Sequence, residues 1–476
     1  MPDATPDLTV PLPRELATEL LTLARAHGAD FAEVYAERFV LSAFGLEEGR
    51  VRTSEYERGQ GVGVRALCGA QTGYAYADSF APDDLREAAR VAARIARDGP
   101  AGGPPRPFAV VEAPEPFALA APVTLALDAA AKVAMLRRAD DAARGHDGRV
   151  HEVAVSFADS ARACVIANSD GLWAEDRHFL SRLTVSAFAT AGDVRQHGTA
   201  TAGGRVEADY FERTRPPEQV ALEAAGVAVT LLAAEEPVAG TCPVVIGPGW
   251  GGVLVHECFG HGMEGDGIRK QSSIRAAQMG QQVAARGVTI VDSGLVPFSR
   301  GSFRLDDEGT PAGRTVLVED GILVGYLWDL LNARLTGNRP TGNGRRASYR
   351  DYPLCRMTNT FIEAGSHAPD DLIGAVDHGL YCRNLGGGSV NPADGNFSFQ
   401  VTEGWRIEHG RLVAPVRNAT LTGNGNDAML RIDGVGNDLV IEGSTGSCGK
   451  DGQWKPVGVG QPTVRFTGIT VGGTRT

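Results

Sequence analysis

No stretch of this 476-residue chain is long and apolar enough to cross a bilayer. The apolar segment near 227–234 is too short, and the Ala-rich stretches before it are interrupted by proline or charge. Residues 1–7 are acidic and polar, without the basic region and apolar core of a secretion signal. Cysteine is scarce and unpaired in spacing, with seven residues at positions 68, 164, 242, 258, 355, 382 and 448. That pattern argues against a disulfide framework and for a reducing, cytoplasmic compartment, with most thiols acting as small buried hydrophobes. Positive charge is also in deficit. A net charge of −12 disfavours non-specific binding of nucleic acid as a partner, because neutralising phosphates needs a basic face. No fixed-period repeat is present.

What remains is an ordinary globular composition, 43% hydrophobic and 22% charged, in a chain long enough for two or three domains. The first half alternates helices with strands. Residues 13–27 predict an amphipathic helix with Leu16, Leu20 and Leu23 on one side and Gly28 as its stop. A strand is expected over 31–40, and a hairpin from 61–67 and 73–77 around the turn Gly69 to Gly73. Helices follow at 82–97, about 127–144 and about 217–232. Strands between 152 and 188 turn at Asn168 to Gly171, and 99–107 reads as a Pro/Gly-rich loop.

Composition shifts at Glu235-Glu236-Pro237, the expected boundary between domains 1–236 and 237–476. Beyond a strand at 242–246 the pattern becomes short strands and glycine-rich turns. Glu319-Asp320-Gly321 and Glu408-His409-Gly410 each separate two strands. The expected fold class is α+β: an N-terminal α+β domain, then a mainly β C-terminal domain carrying a short metal-binding helix.

That helix contains the chemistry. Val255 to Asp266 includes His256, Glu257 and His261, a His-Glu followed four residues later by a second His. Imidazoles hold zinc and a nearby carboxylate accepts a proton from water, the combination metal-dependent hydrolysis requires. The spacing is one residue longer than His-Glu-x-x-His. Residues five apart on a regular α-helix differ by about 140°, so the two imidazoles meet only if a π-bulge or a helix end lies between them. Gly260 and Gly262 flank His261 and permit such a departure.

A third ligand is needed, and Glu264, Asp266 and Cys448 are the candidates. Cys448 sits in a polar, glycine-rich segment, 444–453, that reads as a loop. Lys450 beside it would favour a thiolate. Residue chemistry alone leaves Cys448 and Glu264 unseparated.

Several long motifs occur in order along the chain: 61–66 with 73–78, 256–266, 306–311, 344–349, 356–360, and 448–453 leading into 456–462. In these the chain resembles the TldD/PmbA family of metalloproteases, nearly end to end, and specifically its metal-bearing TldD branch. The resemblance implies one Zn²⁺ held by His256, His261 and Cys448, with Glu257 as general base. It also implies cytosolic cleavage of unfolded or flexible peptides, leader peptides included. The partner would be a second copy or a companion subunit of the TldE/PmbA kind. For the developing oxyanion Tyr349, Arg356 and His378 are candidates, and Glu264 is a further candidate neighbour of the metal. An extended substrate is expected to add to a strand edge through its main chain. The competing expectation is a non-catalytic interaction subunit with a structural or vestigial metal. Such sites normally close with four protein ligands, and only three strong ones are visible here.

Overall fold

The computed structural model describes residues 7–97, 104–113, 124–391 and 394–473. The expected loop at 99–107 therefore falls partly outside the described residues, as do most of the first seven. Its described part has no helix or strand.

The N-terminal half is built on one sheet of very long strands. Helix α1 (Arg14–Ala24) leads into β1 (Phe31–Glu47), β2 (Arg50–Cys68) and β3 (Gln71–Ala77), then α2 (Pro82–Ile95). A short β4 (Ala109–Val110) precedes α3 (Ala129–His146), β5 (Val150–Asn168), β6 (Leu172–Ala191) and β7 (Val194–Gly204). The short α4 (Tyr210–Arg213) and α5 (Pro217–Leu232) close this half. The sheet order is β3-β2-β1-β5-β6-β4, with β7 also on β6.

Side chains alternate across a strand, and β1 shows the consequence. Ala32, Val34 and Ala36 pack with α1 and α2, and Phe44 and Leu46 pack with α3 and α5. Tyr35, between them in sequence, faces the other way and packs with Leu305 and Tyr349 of the C-terminal half. One face thus carries the helices and the other carries the second half of the chain.

Two local expectations shift. On α1 the buried line is Ala17, Leu20, Leu21 and Ala24, with Leu16 and Leu23 only partly covered. The periodicity is helical, but the inward face is rotated by about one residue. Strand β2 begins eleven residues before the expected strand at 61, because 50–60 pair along β1 as an exposed arm of the hairpin. Its polar composition masks it, since cross-strand hydrogen bonding needs no apolar side chain.

The C-terminal half is assembled from shorter strands. Strand β8 (Gly240–Ile246) runs antiparallel to Val464–Gly472 and parallel to His378–Val390. A six-stranded sheet is centred on Ile290–Ser293 and Asn359–Ile362. A core including Leu254, Phe259, Met263, Met357 and Phe399 lies within this half, and the His-Glu segment is threaded through it. The mixed α/β first half and β-rich second half give the expected α+β class.

The expected loop around Cys448 is instead a two-stranded ribbon, Ser447–Lys450 paired with Gln453–Pro456. Asp451 and Gly452 form its tip, both with positive φ (49° and 76°). An Asp-Gly pair suits a two-residue hairpin turn. Cys448 is thereby fixed on a strand.

Candidate metal centre

Val253–Val255 begins as an ordinary α-helix, and His256–Gly260 continues it as a π-turn. The N–H of His261 bonds to the carbonyl of His256, five residues back. This is the departure that the five-residue spacing demands, and it brings the two rings edge to face at 5.4 Å between centroids. Gly260 itself has an ordinary right-handed backbone, φ −54° and ψ −52°. It is glycine for a different reason than conformational freedom: a Cβ there would overlap Met357 Sδ.

The donor atoms of His256, His261 and Cys448 lie within 4.8 Å of one another. Cys448 Sγ is 3.3 Å from His261 Nε2. Burial pushes the Cys448 thiol up, but hydrogen bonds from His256 and His261 outweigh it and bring the thiol down to about 4, so a thiolate faces two imidazoles. Lys450, expected to favour the thiolate, is not among the main causes. Its ammonium donates to Glu264 Oε2 (2.8 Å), Asp266 Oδ1 (2.7 Å) and the carbonyl of Cys355 (3.1 Å).

Glu264 is buried on the far side of the His261 ring, with Oε2 3.3 Å from Nδ1. Burial raises its carboxyl, but His261 and Lys450 overcome this and hold it at about 2. Burial likewise lowers His261, and the charges of Glu264 and Cys448 override it and carry the imidazole well above its ordinary value. Glu257 sits beside the cluster and is more exposed, with Oε2 3.9 Å from His261 Nε2. The Nδ1 of His256 is buried without a partner. Two imidazoles and a thiolate match a zinc-type ion in donor type, and three protein donors leave one position open.

The other expected contributors lie around this cluster or away from it. Arg356 is fully buried and donates to the carbonyls of Cys448 (2.6 Å) and Gln453 (3.1 Å), pinning both strands of the ribbon. Tyr349 lies at the seam between the halves, where its hydroxyl donates to Asp78 and its N–H to Glu37 Oε1 (3.0 Å). The contacts of His378 are with Asp377 and His409 on an exposed hairpin, not with the cluster.

The motifs at 306–311, 344–349 and 356–360 contain further residues to which their sequence alone assigned no role. Met357 fills the space left by Gly260. Within the motifs at 306–311 and 344–349, Glu308 accepts from Arg65 (2.6 Å) and Asp307 from Arg162 (2.8 Å), while Arg346 pairs with Glu33. These motifs thus tie the two halves together. A clue was their density of buried-type arginine and acid side by side.

A donor cluster of this kind, in a β-rich half backed by a long-stranded platform, fits the class of metal-binding proteins. The family models agree domain by domain. PmbA/TldA metallopeptidase domain 1 matches residues 32–96, the central domain 124–232 and the C-terminal domain 239–473. The chain belongs to the PmbA/TldD family of metallopeptidases, on its TldD side. It is 38% identical over 475 residues to a protein of Haemophilus influenzae named metalloprotease TldD homolog, covering 98% of each. A Saccharolobus solfataricus relative named zinc metalloprotease TldD homolog is 30% identical over 248 residues, 52% of this chain and 54% of that protein. The crystal structure of TldE from Thermococcus kodakarensis superposes with a TM-score of 0.78 at 20% identity, covering 96% of this chain and 100% of that one.

Proposed function

We propose that this chain is a zinc-dependent peptidase that hydrolyses unfolded or flexible peptides, leader-type peptides among them, with Glu257 as general base. The observation that carries this reading is the meeting of His256, His261 and the Cys448 thiolate beside the Glu257 carboxylate. The name of the Saccharolobus relative supports zinc as the metal. When bound, zinc supplies Lewis-acid polarisation of the scissile carbonyl and activation of water near neutral pH.

The chain's own residues do the rest. Glu257, at the open side of the cluster, takes the water proton and delivers it to the leaving amine. Glu264 holds the His261 ring through Nδ1, leaving Nε2 directed at the thiolate, the outer-partner arrangement that orients metal-binding histidines. Lys450 balances the charge of Glu264, and Arg356 fixes the backbone that presents Cys448. The two-stranded Cys448 ribbon offers a strand edge to an extended substrate, a geometry that an unfolded chain can adopt.

Seven unpaired cysteines support a cytoplasmic setting. Likeness in fold to a TldE supports assembly as a homodimer or with a TldE/PmbA-like companion. A structural metal would call for a fourth protein donor, which the cluster does not include among the described residues. The test is zinc content and cleavage of a flexible peptide for wild type and Glu257→Gln. The expected outcome is unchanged zinc with cleavage lowered by about 10²–10⁴-fold. Undiminished cleavage would remove Glu257 from the mechanism.

A further inference from the structure

A cavity of about 200 Å³ opens between the outer part of the N-terminal sheet and the C-terminal half. It is lined by five cationic side chains, Arg162, Arg205, Arg300, Arg345 and Lys455, and by two carboxylates, Asp306 and Asp307. The carboxylates do not balance the cations. Asp307 is already taken by Arg162 (2.8 Å) and Lys455 (3.0 Å). Asp306 accepts backbone N–H groups of Glu308, Thr310 and Gly344. Burial and the neighbouring Glu308 push its carboxyl well up.

Arg205, Arg300 and Arg345 have no carboxylate partner among the described residues. Arg205 meets His178 Nδ1 (3.1 Å). Arg300 donates to the carbonyls of Ser444 (3.1 Å) and Thr445 (3.3 Å), and Arg345 to those of Met357 (2.5 Å) and Pro456 (2.6 Å). The Nε atoms of Arg205 and Arg300 are buried without any partner. Burial depresses all three guanidinium groups, and the more distant charges of Asp176 on Arg205, Glu442 on Arg300 and Asp307 on Arg345 do not offset it. An uncompensated buried cation is unfavourable, and an incoming anion relieves it.

The cavity shares the Cys448 ribbon with the metal centre, through Trp454, Lys455 and Pro456. Lys455 stands directly opposite Cys448 in the ribbon, so the two share a face. Arg345 holds the carbonyl of Met357, the residue packed on Gly260. Trp454, 67% exposed, lies at the rim and offers a flat apolar surface to a bound chain. Small-molecule pockets usually span about 300–1,000 Å³. The space here is smaller and suits the end of one residue.

We propose that this cavity is an anion subsite that seats a carboxylate of the peptide substrate, either an acidic side chain or the C-terminus, beside the metal centre. The proposal rests on the peptidase reading for the identity of the peptide. Binding is measured by calorimetry on the full-length, zinc-loaded Glu257→Gln protein, without turnover. One pair of flexible peptides differs only in a C-terminal acid or amide, and a second pair only in an internal Glu or Gln.

In at least one pair, neutralising the carboxylate is expected to weaken binding by about tenfold or more, the scale of a lost charged hydrogen bond. In Arg205→Met and Arg345→Met, with secondary structure and zinc content unchanged, that difference is expected to shrink to within about twofold. Equal binding within both pairs to the parent protein would overturn the subsite, whether or not the variants fold. So would discrimination that persists in both folded variants. Equal binding alongside normal peptide cleavage by the wild type would remove the subsite alone. Carboxylate discrimination in a protein that cleaves nothing would remove the peptidase reading and leave the subsite.

Discussion

Among the described residues, two clusters bring metal-ligating side chains together, and they differ in almost everything else. His256, His261 and Cys448 form one, and Asp377, His378 and His409 the other, each with its donor atoms within 4.8 Å. In the first, His256 and Cys448 are 2% and 5% exposed. In the second, all three side chains are exposed, from 66% to 76%. There His409 Nδ1 lies 2.6 Å from Asp377 Oδ1, and water competes for every donor. In the first, Glu264, Lys450 and Arg356 form an outer ring that sets ring orientation and charge. Proximity of donors is common on a surface. Removal from water, together with partners that fix each donor, separates a centre from a coincidence.

The sharpest way to break this comparison is to delete one donor from each cluster. Cys448→Ala is expected to abolish stoichiometric zinc binding, a loss beyond the ~10–100-fold typical of an outer partner. His409→Ala is expected to leave zinc content unchanged. Elemental analysis of purified protein decides, and an equal fall in both variants would erase the distinction.

The outer ring is the next test. Glu264→Gln is expected to lower zinc affinity by about 10–100-fold, read by competition with a chelator. No change would mean that burial alone suffices. Gly260→Ala then probes the packing behind the π-turn. Its Cβ collides with Met357, so a cost of about 1–3 kcal/mol in denaturant unfolding is expected. Met357→Ala should recover part of the Gly260→Ala loss in the double variant.

The smallest effect comes from an ion pair on the exposed side of the same contrast. Arg138 donates to both oxygens of Glu218 at the surface between α3 and α5, at 2.6 and 3.0 Å. This holds the Glu218 carboxyl below its usual value. A folded-state value below the unfolded one gives stability that is present above the unfolded value. It is lost as pH falls through the folded one. Glu218→Gln should therefore cost no more than ~1 kcal/mol at neutral pH. The gap to wild type should close in acid, as thermal melts across pH would record.

Much of the platform was legible from periodicity. Helix α5 and the turn between β5 and β6 lie where the residues predict them, because proline starts, glycine stops and alternation act within a few residues. The arm at 50–60 was not legible, since its order comes from hydrogen bonds to β1 and its side chains are polar. The ribbon at Cys448 was masked by composition, although its Asp451-Gly452 turn was in view. Within the centre, His256, Glu257 and His261 were readable as a group, and so was the need for a broken helical repeat. Lys450, expected to favour the thiolate, is engaged instead by Glu264 and Asp266, partners that only the fold brings to it.

By itself, then, the sequence determined the alternation of elements, the donor types, and the rule that residues five apart need a π-turn to converge. All of these follow from local stereochemistry. The tertiary structure alone decided which carboxylate faces the far nitrogen of His261, and it separated Cys448 from Glu264 where residue chemistry had not. It also decided that three arginines share a cavity with no free counter-charge. Cys448 and His261 are 187 residues apart, and their contact exists because the Cys448 strand and the His-Glu helix close on one core. That closure depends on burial summed over the whole domain, which no short window of residues encodes.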